Sequence, residues 1–574
     1  MSSLPKTSVT VLGVHDGHDA GAALVRDGRV LAALQEERPR NIKHYSGTPE
    51  FSIREVFRTS GVDPSDIDAI ALGCLVMVRA PLDVHTRPLK VRLFERLSPI
   101  VASHTFAKLY VKMLHKFRGM DELERIFKEL GIEEKEVIFV EHHLSHAACA
   151  YYSSPWSHDD PVLIFTADGA GDGLSSTVSI GENGEIRRLA ESTYYDSLGN
   201  VLYSGITQYL GLKPWDHEYK VMGLAPYGKP EYCIDHIRRI IRLNSKNPLE
   251  FQNRIRAYGA ALQSKLKKIL AGQRFDNIAA ATQLWFEQLI TRWIRYAIEI
   301  TGIHRIACAG GLFLNVKANK RIVEMTEVED SFFYPAAGDS GTPVGAALEG
   351  YCEYCRAEGL KPRKEPVTDI YYGPAYTNDD IKEILKKTEW IEKAEYYDDV
   401  DSMVGELVAK SKIVARFSGR LEWGPRALGN RSILADPRDL KMVRKINFAI
   451  KHRDFWMPFA PTILEDRMDE YLVNSRPAPY MILAFDTTEE REEIIAAIHP
   501  YDHSCRPQSL KDSWNSGYQN ALRTFEKRTG IGGVLNTSFN LHGYPIVCSP
   551  SQAIWTFENS RLDALALGNY VITR

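Results

Sequence analysis

Short apolar runs alternate with glycine-bearing turns at the start of the chain. They cover residues 9–14, 20–25 and 30–34, with Asp27-Gly28 between the second and third. Runs of this length bounded by turn residues predict strands folding back on one another. His15-Asp-Gly-His18-Asp19 sits at the first bend, where polar groups are placed to face a ligand. Further strands are predicted at 67–72, 137–140, 162–167 and 305–309, and apolar residues at helical spacing predict a helix over 279–300. Strands alternating with helices indicate α/β layers. A polar, proline-containing stretch over 358–366 interrupts the pattern before Tyr371-Tyr-Gly-Pro374 opens another set of elements. The domain boundary is therefore placed to give domains 1–360 and 361–574.

Composition narrows the setting more than the chemistry. A chain of 574 residues that is 44% hydrophobic can bury large cores and suggests roughly two to four domains. No signal-like start and no long apolar run are visible, so a cytoplasmic protein with no membrane partner is expected. The net charge of −3 gives no global reason to expect nucleic acid. Residues 88–118 are richer in Lys and Arg, but interleaved apolar residues read as amphipathic helices. Eight scattered cysteines fit reduced thiols, and Cys352-x-x-Cys355 without a second pair carries no function.

His142-His143-Leu-Ser-His146 is the most informative motif. Residues four apart on a helix share a face, so His142 and His146 are candidate ligands of one ion; the alternative is a pair that only caps or hydrogen-bonds. Zinc peptidases of this spacing place Glu directly after the first His, and His143 stands there, which disfavours peptidase chemistry. Asp168 and Asp339, each beside glycine, would complete two nitrogen and two oxygen ligands, suited to iron(II), zinc or manganese. Three loops carry glycine with a polar group: Asp168-Gly-Ala-Gly171-Asp172-Gly173, Ala309-Gly310-Gly311-Leu-Phe-Leu-Asn315, and Gly338-Asp339-Ser-Gly341. Together they suggest a nucleotide cleft, with Gly310, Gly311 and Asn315 as candidate contacts, because glycine lets backbone amides approach phosphate. Lys220, before Gly223-Leu-Ala-Pro-Tyr-Gly228, is a candidate over phosphates or a surface lysine before a turn.

The second domain has an arginine-rich, glycine-punctuated run, Ser418-Gly-Arg420-Leu-Glu422-Trp-Gly-Pro-Arg426-Ala-Leu-Gly429-Asn430-Arg431-Ser432. Arginine pairs with phosphate through two donors. Lys451-His-Arg453, Arg506 and Asn536-Thr-Ser538-Phe-Asn540 add further candidates for a small anionic substrate.

These motifs resemble the O-carbamoyltransferase family that includes the nodulation carbamoyltransferase and the antibiotic-tailoring enzymes of cephamycin and tobramycin biosynthesis. The resemblance rests on His18-Asp19-Ala, Glu36-Glu-Arg38, His142-His-Leu-Ser-His146, Met222-Gly-Leu-Ala-Pro-Tyr-Gly228, Gly424-Pro-Arg-Ala-Leu-Gly-Asn-Arg-Ser432 and Leu535-Asn-Thr-Ser-Phe-Asn540. It implies an N-terminal domain of the actin-like ATPase fold, similar to the tRNA threonylcarbamoyl transfer protein, and a C-terminal YrdC-like α/β domain. It implies that ATP, with magnesium, and carbamoyl phosphate form carbamoyl-adenylate, whose carbamoyl group passes to a hydroxyl of a sugar or natural product. By motif matching, Arg426, Lys451, Arg506 and Ser538 would hold carbamoyl phosphate and the ATP phosphates, with Arg426 and Lys451 also catalytic. His142, His146, Asp168 and Asp339 would hold a divalent metal, iron(II) first, beneath the adenylate. His18 would act at the acceptor as general base or orienting group, with Asp19 as its partner. Two departures stand out: His503-Ser-Cys505 before Arg506, and Tyr544 where an acidic residue is common. The alternatives are a tRNA-adenosine carbamoylating enzyme and a non-enzymatic ATP-binding regulator; a homodimer is compatible with any of them.

Overall fold

The computed structural model describes residues 8–76, 111–116, 118–511 and 513–574. Of the basic segment 88–118, all but 111–116 and 118 lies outside the described residues. Two compact units emerge, one of residues up to Glu36 with His44–Val367, the other of Glu37–Lys43 with Thr368–Arg574. The structural division falls slightly beyond the expected 360/361 because residues 361–367 are tied into the first unit. Val367 N donates to Ser153 O, Lys364 Nζ to Ser154 Oγ, and Arg363 N to the Tyr351 hydroxyl.

The first unit holds two five-stranded sheets. One contains β1 (Thr10–His15), β2 (Gly21–Arg26), β3 (Arg29–Gln35), β4 (Ala69–Leu72) and β5 (Glu136–Phe139), in the order β3-β2-β1-β4-β5. Strands β1 to β3 form an antiparallel meander, and β4 and β5 are parallel to β1. A small hairpin joins β9 (Ile241–Leu243) to β10 (Phe251–Asn253). The second sheet contains β6 (Val162–Gly171), β7 (Leu174–Glu182), β8 (Glu185–Thr193), β11 (Arg305–Ala309) and β12 (Asp330–Phe333), in the order β12-β11-β6-β7-β8. Its first three strands are again an antiparallel meander, followed by two strands parallel to the first. The same topology occurs twice, the duplication that defines the actin-like ATPase fold and that single residues did not reveal.

Two helices join the halves. Helix His142–Tyr152 follows β5 and packs on β6 and β11, whereas helix Thr342–Ala357 follows β12 and packs on β1, β2 and β4. Each thus leaves one sheet and covers the other. They cross at Gly345, where a Cβ would lie 1.8 Å from Ser145 O, so any larger residue would force the helices apart. Their buried faces explain the apolar pattern: Ala147, Ala148, Ala150, Val344, Ala346 and Ala347 are fully covered.

The second unit is built on one eight-stranded sheet. Its strands are β13 (Ala394–Tyr396), β14 (Val414–Phe417), β15 (Arg431–Ala435), β16 (Ala460–Leu464), β17 (Gln508–Leu510), β18 (Gly533–Ser538), β19 (Ala564–Leu567) and β20 (Tyr570–Thr573). The order is β13-β20-β19-β14-β15-β18-β16-β17, with parallel and antiparallel pairs mixed. Helices such as Pro550–Glu558 cover it over a core that includes Phe417, Ile433, Leu535, Phe539 and Phe557. Among the described residues no helix is long and apolar enough to cross a membrane. All eight cysteines are buried and none is in a disulfide, Cys352 and Cys355 included.

Candidate metal centre and anion site

The histidine motif begins a helix because Glu141 caps it: its carboxylate accepts from His143 N and Leu144 N. Asp172 also steadies this turn by accepting from His142 N at 2.9 Å. Asp172 and Gly173, with φ of 46° and 84°, form the tight turn between β6 and β7. The second half of that glycine loop therefore serves the hairpin. Gly171 has a separate duty: a Cβ there would lie 2.1 Å from the His142 ring.

His142 and His146 share a helix face, and their Nε2 atoms are 3.2 Å apart. Asp168, from β6, places Oδ2 at 3.0 Å from His146 Nε2 and 3.6 Å from His142 Nε2. Asp339, from the turn before helix Thr342–Ala357, places Oδ1 at 3.5 Å from both nitrogens. Ligands about 2.1 Å from one ion lie at such separations from one another. Asp339 Oδ1 is buried and has no hydrogen-bond partner among the described residues, as expected of an atom aimed at an ion. The four residues thus fit a divalent metal. Burial alone would lower the His142 pKa, but Asp339 and Asp168 push it up to about 10. His146 is raised in the same way by Asp168 and Asp339 against its burial. Burial works against ionisation of Asp168, yet His142 and His146 hold it well below the usual range; burial and the Asp168 charge raise Asp339. His143 points elsewhere, with Nδ1 2.8 Å from Thr166 Oγ1, and burial pulls it down to about 3.

The three glycine loops converge on this cluster. A Cβ on Gly311 would lie 3.0 Å from Asp168 Oδ1, and one on Gly338 would lie 3.9 Å from Gly311 Cα. Gly310 takes a φ of 101° and donates its N–H to Ala337 O. Asn315 is buried: its side chain caps helix Val316–Val323 and pairs with Gln283 and Tyr203. Lys220 lies half-buried in helix Glu218–Leu224.

His18 and Asp19 stand beside the cluster, with His18 Nδ1 3.6 Å from Asp19 Oδ2 and 3.9 Å from Asp339 Oδ2. Sequence reasoning did not single out His44, which stacks on His18 with ring centroids 5.5 Å apart. Its Nδ1 is 2.8 Å from Asp19 and its Nε2 3.1 Å from Asp216. No local pattern marks His44, because its partners are 25 and 172 positions away.

In the second unit, Lys451 is buried and donates to Ser538 O and Oγ and to Asn540 O and Oδ1, at 2.6 to 3.2 Å. These oxygens are neutral. Burial, with Arg453 and Lys43 adding like charge, depresses its pKa well below the ordinary lysine value. Arg506 is depressed likewise by burial and by Arg426 and Arg453, and its Nη1 is buried with no hydrogen-bond partner among the described residues. Arg453 donates to Pro458 O and Thr537 Oγ1 and lies over Phe459. Arg426, Lys451, Arg453, Arg506, Ser538 and Asn540 therefore share one neighbourhood whose cations act on each other. Arg431 and Arg416 in the same run have structural partners: backbone carbonyls for Arg431, Asp401 for Arg416. At the divergent position 544, it is the backbone carbonyl that accepts from Asn540 Nδ2, a contact indifferent to the side chain. His503, at the other, has a left-handed φ of 56°.

An α/β chain with a His/Asp cluster that could hold a metal in one unit and a cluster of cations in the other matches two family models. Residues 10–348 match the carbamoyltransferase N-terminus and residues 405–574 the carbamoyltransferase C-terminus. The chain belongs to the carbamoyltransferase family and is a carbamoyltransferase enzyme. It is similar to the nodulation protein NolNO of Sinorhizobium fredii, at 35% identity over 566 residues, covering 97% of this chain and 79% of that one. An uncharacterized Synechocystis protein, sll1178, is 32% identical over 596 residues, covering 97% and 95%. Among solved structures, T. kodakarensis HypF covers 62% of this chain with 49% of its own, at 14% identity and a TM-score of 0.32. At that score the sheet topology, and not the likeness, carries the fold.

Proposed function

We propose that this carbamoyltransferase consumes ATP and carbamoyl phosphate to form carbamoyl-adenylate, then transfers the carbamoyl group to a hydroxyl of a sugar or other natural product. Carbamoyl phosphate, ATP, one water and the acceptor would yield the carbamate ester, phosphate, pyrophosphate and AMP. The observation that carries the reading is the cation cluster of the second unit, a buried Lys451 beside the half-buried Arg426, Arg453 and Arg506. Among the described residues no carboxylate acts on Lys451 or Arg506 and Arg506 Nη1 has no hydrogen-bond partner, which supports a site that an anion completes.

In this reading Arg426, Arg453 and Arg506 grip the phosphates of ATP and carbamoyl phosphate. Lys451, with Ser538 and Asn540 fixing its ammonium, stabilises charge as the phosphoryl groups separate. In the first unit, the loop at Gly310 and Gly311 receives the adenylate phosphate and Lys220 lies over it, while Asn315, its side chain spent on Ala318 N, Gln283 and Tyr203, holds the loop's shape. His142, His146, Asp168 and Asp339 would hold a divalent ion, iron(II) the first expectation and zinc or manganese next, which would supply phosphate charge neutralisation and polarisation of the carbamoyl carbonyl. Magnesium accompanies ATP. His18 meets the acceptor hydroxyl as orienting group or general base, and Asp19 orients His18.

The test is incubation of the full-length protein with ATP and carbamoyl phosphate while pyrophosphate and AMP are followed, with Arg426→Ala as control. Carbamoyl phosphate-dependent release that disappears in the variant is expected. Absence of release from metal-loaded wild type, even with hydroxyl acceptors added, would remove the reading.

A further inference from the structure

Beside the first centre lies a second set of metal-type donors. His18, Asp19 and His44 each offer a ligand atom, and these atoms lie within 4.8 Å of one another. Two imidazoles and a carboxylate on one side of an ion are the donor set of open first-row metal sites, which keep other positions for water or substrate.

The surroundings distinguish this trio from an incidental hydrogen-bonded group. A metal-binding imidazole is commonly fixed by a carboxylate at the ring nitrogen turned away from the ion. Asp216 holds that place on His44, 3.1 Å from Nε2, and leaves Nδ1 facing Asp19 at 2.8 Å. The backbone is also unusual. Asp19 and His44 take left-handed φ values of 53° and 54°, a conformation that side-chain-bearing residues seldom adopt and that gathers at functional sites. The third feature is Asp339. One carboxylate oxygen lies 3.5 Å from His142 and His146 Nε2, and the other lies 3.9 Å from His18 Nδ1. A carboxylate reaching both groups is placed as a bridge between two cations of a paired site.

We propose that His18, Asp19 and His44 bind a second divalent cation of the manganese, iron or zinc type, with Asp216 orienting His44 and Asp339 shared with the first centre. His18 then ligates through Nδ1 and presents its Nε2 side to an acceptor, which suits the orienting role. The inference rests on side-chain geometry and is independent of the carbamoyl chemistry.

The experiment strips full-length protein with chelator, restores it with Mn2+ alone, and counts bound manganese per chain by mass spectrometry while low-temperature electron paramagnetic resonance reads coupling between ions. Wild type is expected to hold two ions with an exchange-coupled signal. His44→Ala and Asp19→Asn are each expected to hold one, with an uncoupled signal; Asp19→Asn, close in shape, decides the matter if His44→Ala unfolds. One ion per chain in wild type, or two retained in either folded variant, overturns the proposal. Pyrophosphate release is a separate measurement, so failure of the carbamoylation reading would leave this count standing.

Discussion

The two clusters bury charge in opposite ways. In the first unit imidazoles face carboxylates: Asp168 and Asp339 raise His142 and His146, and the two histidines hold Asp168 ionised, while Asp339 alone is raised by burial and the Asp168 charge. In the second unit Lys451, held by neutral oxygens, and Arg506 have other cations nearby, and burial and repulsion both work against their charge. A complementary set can stand alone and waits for a cation that displaces its protons; a like-charged set is strained until an anion arrives. The difference between the sites teaches which sign of ligand each was built for.

The largest break in this comparison should come from Lys451→Met. The expected outcome is loss of carbamoyl phosphate-dependent pyrophosphate release by about 100-fold or more, since a donor aimed at developing charge is removed. Metal content of the first unit should not change, which elemental analysis checks. Next is Asp168→Ala, which takes away one of the two carboxylates that face both histidines. Affinity for Mn2+ or Zn2+ at the first centre should fall about 100-fold, read by competition with a chromogenic chelator.

A smaller effect sharpens the contrast from the stability side. Arg506→Met should abolish anion binding yet raise ligand-free stability by about 1 kcal/mol, because a half-buried cation beside other cations, with Nη1 unpartnered among the described residues, is lost. Denaturant unfolding measures this, and a marked destabilisation would argue that Arg506 is paired. The smallest effect concerns Lys364, a desolvated cation outside both clusters, which donates to Ser154 Oγ and lies over the Tyr151 ring. Burial lowers its pKa from 10.5 to about 8. The folded state therefore penalises the charged form; the penalty is complete below about pH 8 and gone above 10.5, so its contribution makes stability rise across that window. Lys364→Met should flatten that part of the pH profile, checked by thermal melts.

Much of the fold was legible because it depends on local periodicity. The strand expected at 305–309 is Arg305–Ala309, and the helix expected at 279–300 lies within Phe275–Thr301, ended by Gly302 in a left-handed conformation. The turn residues Asp27-Gly28 join β2 and β3 as expected, both with positive φ. The i, i+4 histidines were legible for the same reason, since helical spacing fixes a shared face without any knowledge of neighbours.

What the sequence by itself determined is therefore the list of elements and the chemical types at their ends: imidazoles on a helix, aspartates and glycines after strands, arginines in a glycine-punctuated run. Tertiary structure alone decided which of these meet. Only the paired sheets bring Asp168 and Asp339 onto the same two histidines, and only a long-range loop contact sets His44 between Asp19 and Asp216. Packing likewise decided that Asn315 spends its amide on a helix cap and on Gln283, and that Lys451 is buried among neutral oxygens. The physical reason is one of range: propensity and hydrophobic period act over a few residues, whereas convergence of side chains depends on how whole sheets and helices bury their apolar faces against one another.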